Sequence, residues 1–194
     1  MNINSFLGSK KLSNFFWKTY REDPQNIETE SHRLLHRSGF ISQVSSGIFS
    51  FLPIGWRSIE KIKNIIRDEM NNSGALEINM PVVQPSDLWT KSGRIDTFIP
   101  PLAKFSDRRD NELIIAPTHE ETVTDMVAKN VSSYRDLPFI LYQIQTKYRE
   151  EPRPRAGLLR VREFEMKDAY SFDVDEEGLD ISYKKMIDAY NNIF

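Results

Sequence analysis

Cysteine is absent from the 194 residues, so the chain offers no disulfide, no thiol nucleophile and no cysteine-ligated zinc. No apolar run approaches the roughly 18 residues that a membrane-spanning helix needs. The first 20 residues hold Lys10, Lys11 and Lys18 but no continuous apolar block, so a secretory signal is not expected. An excess of one charge is also missing. The net charge of -2 draws no polyanion to the surface as a whole, so any RNA contact must come from a local patch. Neither a GxxxxGK(S/T) loop nor a GxGxxG turn occurs, which excludes the two common glycine-rich phosphate cradles. No internal repeat is present. What remains is 39% hydrophobic and 28% charged residues, the ordinary mix of a globular protein. The length suits one domain or a piece of something larger, and a reducing, cytoplasmic setting fits the lack of cysteine.

Residues 1–26 alternate polar and aromatic without a clean period and read as an N-terminal arm; the domain proper starts at residue 27. A short helix is expected over 27–38, closed by Gly39. Residues 40–52 alternate loosely and predict a strand or hairpin, stopped at Pro53-Ile54-Gly55. Trp56, Ile59, Ile62, Ile65, Ile66 and Met70 fall at helical spacing, and Gly74 ends that helix. This stripe is expected to form core or a dimer contact. Residues 75–83 predict a strand broken at Pro81, and 85–101 predict loop and turn. Leu113 to Pro117 reads as a short buried strand running into a helix. Thr118 and Glu121 have capping-box spacing there, which assigns Glu121 to capping. Residues 139–151 and 159–170 predict two strands joined by a proline-rich loop. Five acids and no base lie in 172–180, a solvated loop and helix start. The last helix carries Leu179, Tyr183, Met186, Ile187, Tyr190 and Phe194. It meets no stop signal, so the natural chain is expected to continue. His32 and His36 sit four apart without an evident third ligand, so no metal site is expected.

The strand pair is the most informative stretch. Alternate residues of a strand share a face. Gln143, Gln145, Lys147, Arg149 and Glu151 form one face of the first strand. Arg160, Arg162, Phe164, Met166, Asp168 and Tyr170 form one face of the second. Five arginines stand against two glutamates between Arg149 and Arg162. A half-solvated antiparallel sheet accounts for charge on one face. It does not account for Phe164 and Met166 on that face, or for arginines packed so closely. A floor that binds phosphate accounts for both: guanidinium forks meet phosphate oxygens, and an aromatic ring offers a base a stacking plane.

These residues resemble a known family. Tyr142 to Glu151, then Arg153-Pro154-Arg155, then Arg162 to Phe172 are similar to motif 2 of bacterial-type proline–tRNA ligases, which are class II aminoacyl-tRNA synthetases. Pro117-Thr118-His119-Glu120-Glu121 resembles their proline-binding loop. Ser31-His32, Gly47, Leu52-Pro53, Gly55, the helix reaching Gly74-Ala75, and Met80-Pro81 resemble their motif 1 region, about 47–83. The resemblance runs from about residue 12 to the end. It implies an α+β fold, a mostly antiparallel sheet flanked by helices, as the N-terminal part of a class II catalytic core. The proline loop would be 117–121 and motif 2 about 142–172. The editing, motif 3 and anticodon-binding regions are expected to lie outside these residues.

The resemblance implies ATP-dependent activation of L-proline to prolyl-adenylate and transfer of prolyl to tRNA(Pro), in a cytoplasmic homodimer joined through motif 1. Arg149 would bridge the proline carboxylate and the α-phosphate. Glu151 would accept from the adenine amino group, Phe164 would stack on adenine, and Arg160 and Arg155 would meet ATP phosphates. Thr118, Glu120, Met166, Asp168 and Tyr170 would complete the proline pocket with Arg149. Magnesium would be held by ligands outside this chain. One methylene is worth only about 1–3 kcal/mol of discrimination, so alanine is expected to enter such a pocket. The 194 residues alone are expected not to run the reaction at a useful rate. Glu150 and Pro152 depart from the family's usual residues beside the motif 2 loop, and 95–105 departs from its usual pattern. The alternatives are a class II ligase for threonine, serine or glycine, and a non-catalytic synthetase-like module that binds RNA or protein.

Overall fold

A computed structural model of the chain describes residues 15–23, 27 and 29–194. The expected arm falls largely outside these residues; of its described part, Trp17 donates through Nε1 to Ser38 O at 2.7 Å, and Tyr20 N–H donates to Arg37 O.

Helix α1, Glu30–Arg37, is capped by the Thr29 hydroxyl and closed by Gly39 at φ 67°, where the missing Cβ matters. Strands β1 (Ile41–Ser45) and β2 (Ile48–Phe51) form an antiparallel hairpin. Helix α2 spans Pro53–Asn72. The hairpin stops before Pro53 as expected, but the helix begins at Pro53 rather than at Trp56, because proline's fixed φ and missing N–H suit the first helical turn. The isoleucine stripe is also corrected as core. Ile66 and Met70 pack inward, while Trp56, Ile62 and Ile65 are exposed.

β3 (Leu76–Glu77) runs parallel to β7 (Phe139–Tyr148), which pairs antiparallel along its length with β8 (Glu163–Phe172). A second sheet orders β4 (Val83–Pro85), β6 (Glu112–Ile115) and β5 (Lys104–Ser106), all antiparallel. The expected loop over 85–101 is corrected, because helix α3, Ser86–Ser92, occupies part of it and buries Trp89 completely. Helix α4 is Glu120–Asn130, and α5 is Glu176–Ile193, capped by Asp175. The α+β fold with a mostly antiparallel sheet agrees with the sequence.

β7 divides the core. Ile140, Tyr142 and Ile144 pack with Ile66, Met70 and Met186 of α2 and α5 on one side. Leu141 packs with Met80, Val123, Met126 and Tyr170 on the other. Burial and the neighbouring Glu77 carboxylate push the Tyr142 phenol up to about 12; its hydroxyl donates to Asn71 Oδ1 at 2.9 Å. The strand is apolar toward α2 and α5, so its polar residues are forced toward α4 and the loop before it. Among the described residues, no helix is long and apolar enough to cross a membrane.

Candidate active site

The register sets the expected face. Gln143 pairs with Asp168, Gln145 with Met166, Lys147 with Phe164, and Leu141 with Tyr170. Paired residues of an antiparallel ladder point the same way, so Lys147, Phe164, Met166, Asp168 and Tyr170 share one side. β7 ends earlier than its pattern suggests, at Tyr148, and β8 begins later, at Glu163, so Arg149, Glu151, Arg160 and Arg162 lie beyond the ladder. Arg149 is held just past the ladder by its N–H to Arg162 O, 2.9 Å.

The loop before α4 meets the end of β7. Tyr148 N–H donates to Ala116 O at 2.9 Å, and Arg149 Nε donates to Pro117 O at 3.2 Å. The Arg149 guanidinium also lies 5.5 Å from the centre of the Phe164 ring. Arginine, aromatic ring and loop are thus brought together. Glu151 sits with Arg160 instead: Oε1 is 2.9 Å from the Arg160 guanidinium and accepts the Arg153 N–H. These donors hold the Glu151 carboxyl below its usual range, Arg160 first. Arg162 donates through Nε to Glu151 O at 3.1 Å.

Arg155 and Arg160 face each other across the turn as a backbone bridge. Gly157 there has φ 63°, and a Cβ would come within 2.7 Å of His32 Cβ. His32 meets Phe49 edge-on at 5.9 Å, so both α1 and the β1–β2 hairpin support the turn. Gly47 O accepts from Arg162 N–H at 2.8 Å, completing that support.

The capping role expected of Thr118 and Glu121 is corrected. His119 is the N-cap, and no side chain bonds the cap. Thr118 is buried, its carbonyl accepting from Gln84 Nε2 at 3.0 Å. Glu121 is drawn away by Arg94 at 2.8 Å and the Ser92 hydroxyl at 3.0 Å. Glu120 is exposed, with Arg94 at 3.5 Å. Arg94 in turn lies 5.3 Å from each of the Trp89 and Phe98 ring centres.

Asp168 is the hub of a buried polar cluster. Its Oδ2 accepts from Lys147 Nζ at 3.1 Å, from Gln143 Nε2 at 2.9 Å and from the Tyr170 hydroxyl at 2.5 Å, and Oδ1 lies 3.0 Å from Lys147 Nζ. As a direct partner for a substrate amine it is therefore already engaged. Lys147 and His119 are both fully buried and in contact through Nζ and Nδ1; His119 Nε2 faces Pro81 O at 3.0 Å. Sequence reasoning put Lys147 on the right face but gave neither it nor His119 a role. The signal for Lys147 was an uninterrupted ladder placing it on the same face as Asp168.

Burial, then the nearby Lys147 charge, holds the His119 imidazole below its ordinary value near 6.5; Asp168 and Glu120 act the other way. The unfolded chain therefore takes up a proton at this position at a higher pH than the folded chain. Stability is expected to fall as the pH drops below about 6.5. Urea midpoints at pH 7.5 and 5.5 check this: His119→Asn should shrink the difference between them, and an unchanged difference would count against it.

The model of the tRNA synthetase class II core domain (G, H, P, S and T) matches residues 104–194. The chain is 56% identical over 184 residues to a proline–tRNA ligase of Dehalococcoides mccartyi, covering 95% of this chain and 32% of that protein. The chain belongs to the proline–tRNA ligase family of class II synthetases. A proline–tRNA ligase of Caldicellulosiruptor saccharolyticus matches with the same identity and coverage. The chain spans about a third of the length of these relatives. A Giardia lamblia prolyl-tRNA synthetase solved with prolyl-adenylate superposes with a TM-score of 0.74 at 25% identity, covering 80% of this chain and 33% of that one. A Cryptosporidium parvum threonyl-tRNA synthetase structure gives 0.64 at 30%, over 70% and 34%. For a proline–tRNA ligase segment, the match over 104–194 takes in both site strands, while the polar cluster reaches back to Met80 and Pro81.

Proposed function

We propose that this chain carries the adenylate-forming site of a proline–tRNA ligase, binding ATP and L-proline. The observation that carries the reading is the position of Arg149. Its guanidinium lies over Phe164 and bonds the loop leading to Thr118 and Glu120. A guanidinium therefore stands between an aromatic plane and a polar pocket, where an amino-acid carboxylate and an α-phosphate must meet. The barrier to that meeting is chiefly repulsion between two anions, which a fixed guanidinium lowers.

Phe164 then stacks on adenine, and Glu151 accepts from its amino group. Arg160 and Arg155 lie at the turn that would cover the phosphates. Thr118, Glu120, Met166 and Tyr170 form the proline pocket, with Asp168 behind Tyr170. On this reading motif 1 is 47–83, the proline loop 117–121 and motif 2 142–172. Transfer to tRNA(Pro), a cytoplasmic location, a homodimer through the exposed face of α2, and magnesium held elsewhere are proposed for the whole protein.

Titration calorimetry with aminoacyl sulfamoyl adenosines tests the reading. The prolyl compound should bind the chain at least about tenfold more tightly than the threonyl, seryl and glycyl compounds, a gap of about 1.4 kcal/mol. Preference for the threonyl compound would move the assignment to a threonine ligase. Absence of binding by all four would leave a non-catalytic module.

A further inference from the structure

We propose that Lys147 and His119 are positioning residues that fix the Tyr170 hydroxyl as a hydrogen-bond acceptor, so that the pocket selects a ring bearing a protonated amine. This deepens the proline-binding reading above and rests on it.

A fully buried lysine near the end of a central strand is uncommon and needs partners for its N–H groups. Lys147 bonds His119 Nδ1 and Asp168 Oδ2, the latter at 3.1 Å, and its charge lies 3.0 Å from Asp168 Oδ1. The tautomer of His119 follows from its other side. Pro81 O can only accept, so Nε2 carries the proton and Nδ1 presents its lone pair to Lys147. The Gln143 amide is oriented in the same way: its Oε1 accepts the Met80 N–H at 3.1 Å, which turns Nε2 toward Asp168.

Every described polar neighbour of Asp168 is therefore a donor: Oδ2 takes Gln143, Lys147 and Tyr170, and Oδ1 lies beside the Lys147 charge. The Tyr170 hydroxyl has one proton, and at 2.5 Å it is given to Asp168. Burial and then Asp168 push the phenol well above its ordinary value, so it keeps that proton. Elsewhere its oxygen has only lone pairs to offer. One lone pair takes the backbone N–H of His119, between Thr118 and Glu120, which leaves the other for a ligand. A secondary ammonium entering there meets an oriented acceptor. A ring oxygen of the same size meets lone pair against lone pair. Without Lys147, Oδ2 loses one of its three donors and Oδ1 the cation beside it. The carboxylate is then free to turn away from Tyr170, and the hydroxyl proton is no longer held to one side.

Three probes test this on the 194-residue chain: prolyl sulfamoyl adenosine, the analogue with oxygen in place of the ring nitrogen, and AMP. The unsubstituted chain should prefer the amine over the ring-oxygen probe by about 10²-fold, since a site built to bond a substrate N–H rejects an analogue without one. Lys147→Met should reduce that preference to below about tenfold and leave AMP affinity within about twofold. Tyr170→Phe should do the same, and adding Lys147→Met to it should lose nothing more, because Lys147 acts through Tyr170.

An undiminished preference in Lys147→Met, a matching loss for AMP, or losses that multiply in the double variant would each overturn the inference. If Lys147→Met fails to fold, His119→Gln is read in the same way, with a partial loss of preference expected and an unchanged one contradicting. Failure of the unsubstituted chain to bind both AMP and the prolyl probe would sink the site reading itself. Binding of both with no amine preference would sink only the present inference.

Discussion

Arg149→Ala should lower proline-dependent ATP–pyrophosphate exchange about 10²–10³-fold in an enzyme carrying this segment. The guanidinium is fixed before any ligand arrives, by Pro117 O on one side and the face of Phe164 on the other. Preorganised charge of this kind acts where negative charge gathers in the transition state, and it needs no rearrangement at that moment. Losses should appear in kcat more than in either KM. Arg149→Lys should recover little, because an ammonium is a point donor and cannot bridge two anions with a planar fork. The fold should survive, since Arg149 is half-buried and the ladder bond at this position is made by its backbone. An exchange rate within about tenfold of the parent, in a folded Arg149→Ala protein, would contradict the role.

Trp89→Ala should destabilise the chain by about 3–5 kcal/mol, the usual range for removing a fully buried large aromatic. Trp89 is completely enclosed and meets Phe98 edge-on at 5.4 Å. Its Nε1 donates to Gln84 Oε1 at 2.8 Å, and Gln84 Nε2 donates to Thr118 O at 3.0 Å. The substitution therefore empties a cavity and also removes a donor from a buried amide that holds the loop. Proline-site affinity should fall along with stability. Trp89→Phe should cost less, about 1–3 kcal/mol, mainly from the unpaired Gln84 oxygen. Denaturant midpoints and slopes measure both changes, and a loss below about 1 kcal/mol for Trp89→Ala would show that the helix is not anchored there.

The contrast between these two residues shows what the sequence could reveal. Arg149 and Phe164 were legible because strand alternation is a local rule and the β7–β8 pairing runs without a bulge. Trp89 was hidden because Pro85 and its neighbours read as turn punctuation, whereas a proline just before a helix is compatible with starting one. The burial of Trp89 depends on Phe98, Gln84 and Arg94, which come from separate elements. Thr118 and Glu121 had the spacing of a cap, but tertiary partners won: Gln84 holds the Thr118 carbonyl, and Arg94 takes the Glu121 carboxylate. Lys147 lay on the expected face, yet its burial rests on His119 and Asp168, 28 and 21 residues away. Local pattern thus reveals which side chains share a face. It does not reveal which long-range partner neutralises a buried charge.

The shared hollow formed by Arg149, Phe164 and the 117–121 loop is tested most directly by a crystal structure of the chain bound to prolyl sulfamoyl adenosine. The account predicts adenine against Phe164, the sulfamoyl group at Arg149, and the pyrrolidine ring beside Tyr170 and Thr118. A ligand seated away from the β7–β8 face, or an Arg149 side chain turned to the far side of the sheet from the ligand, would contradict it.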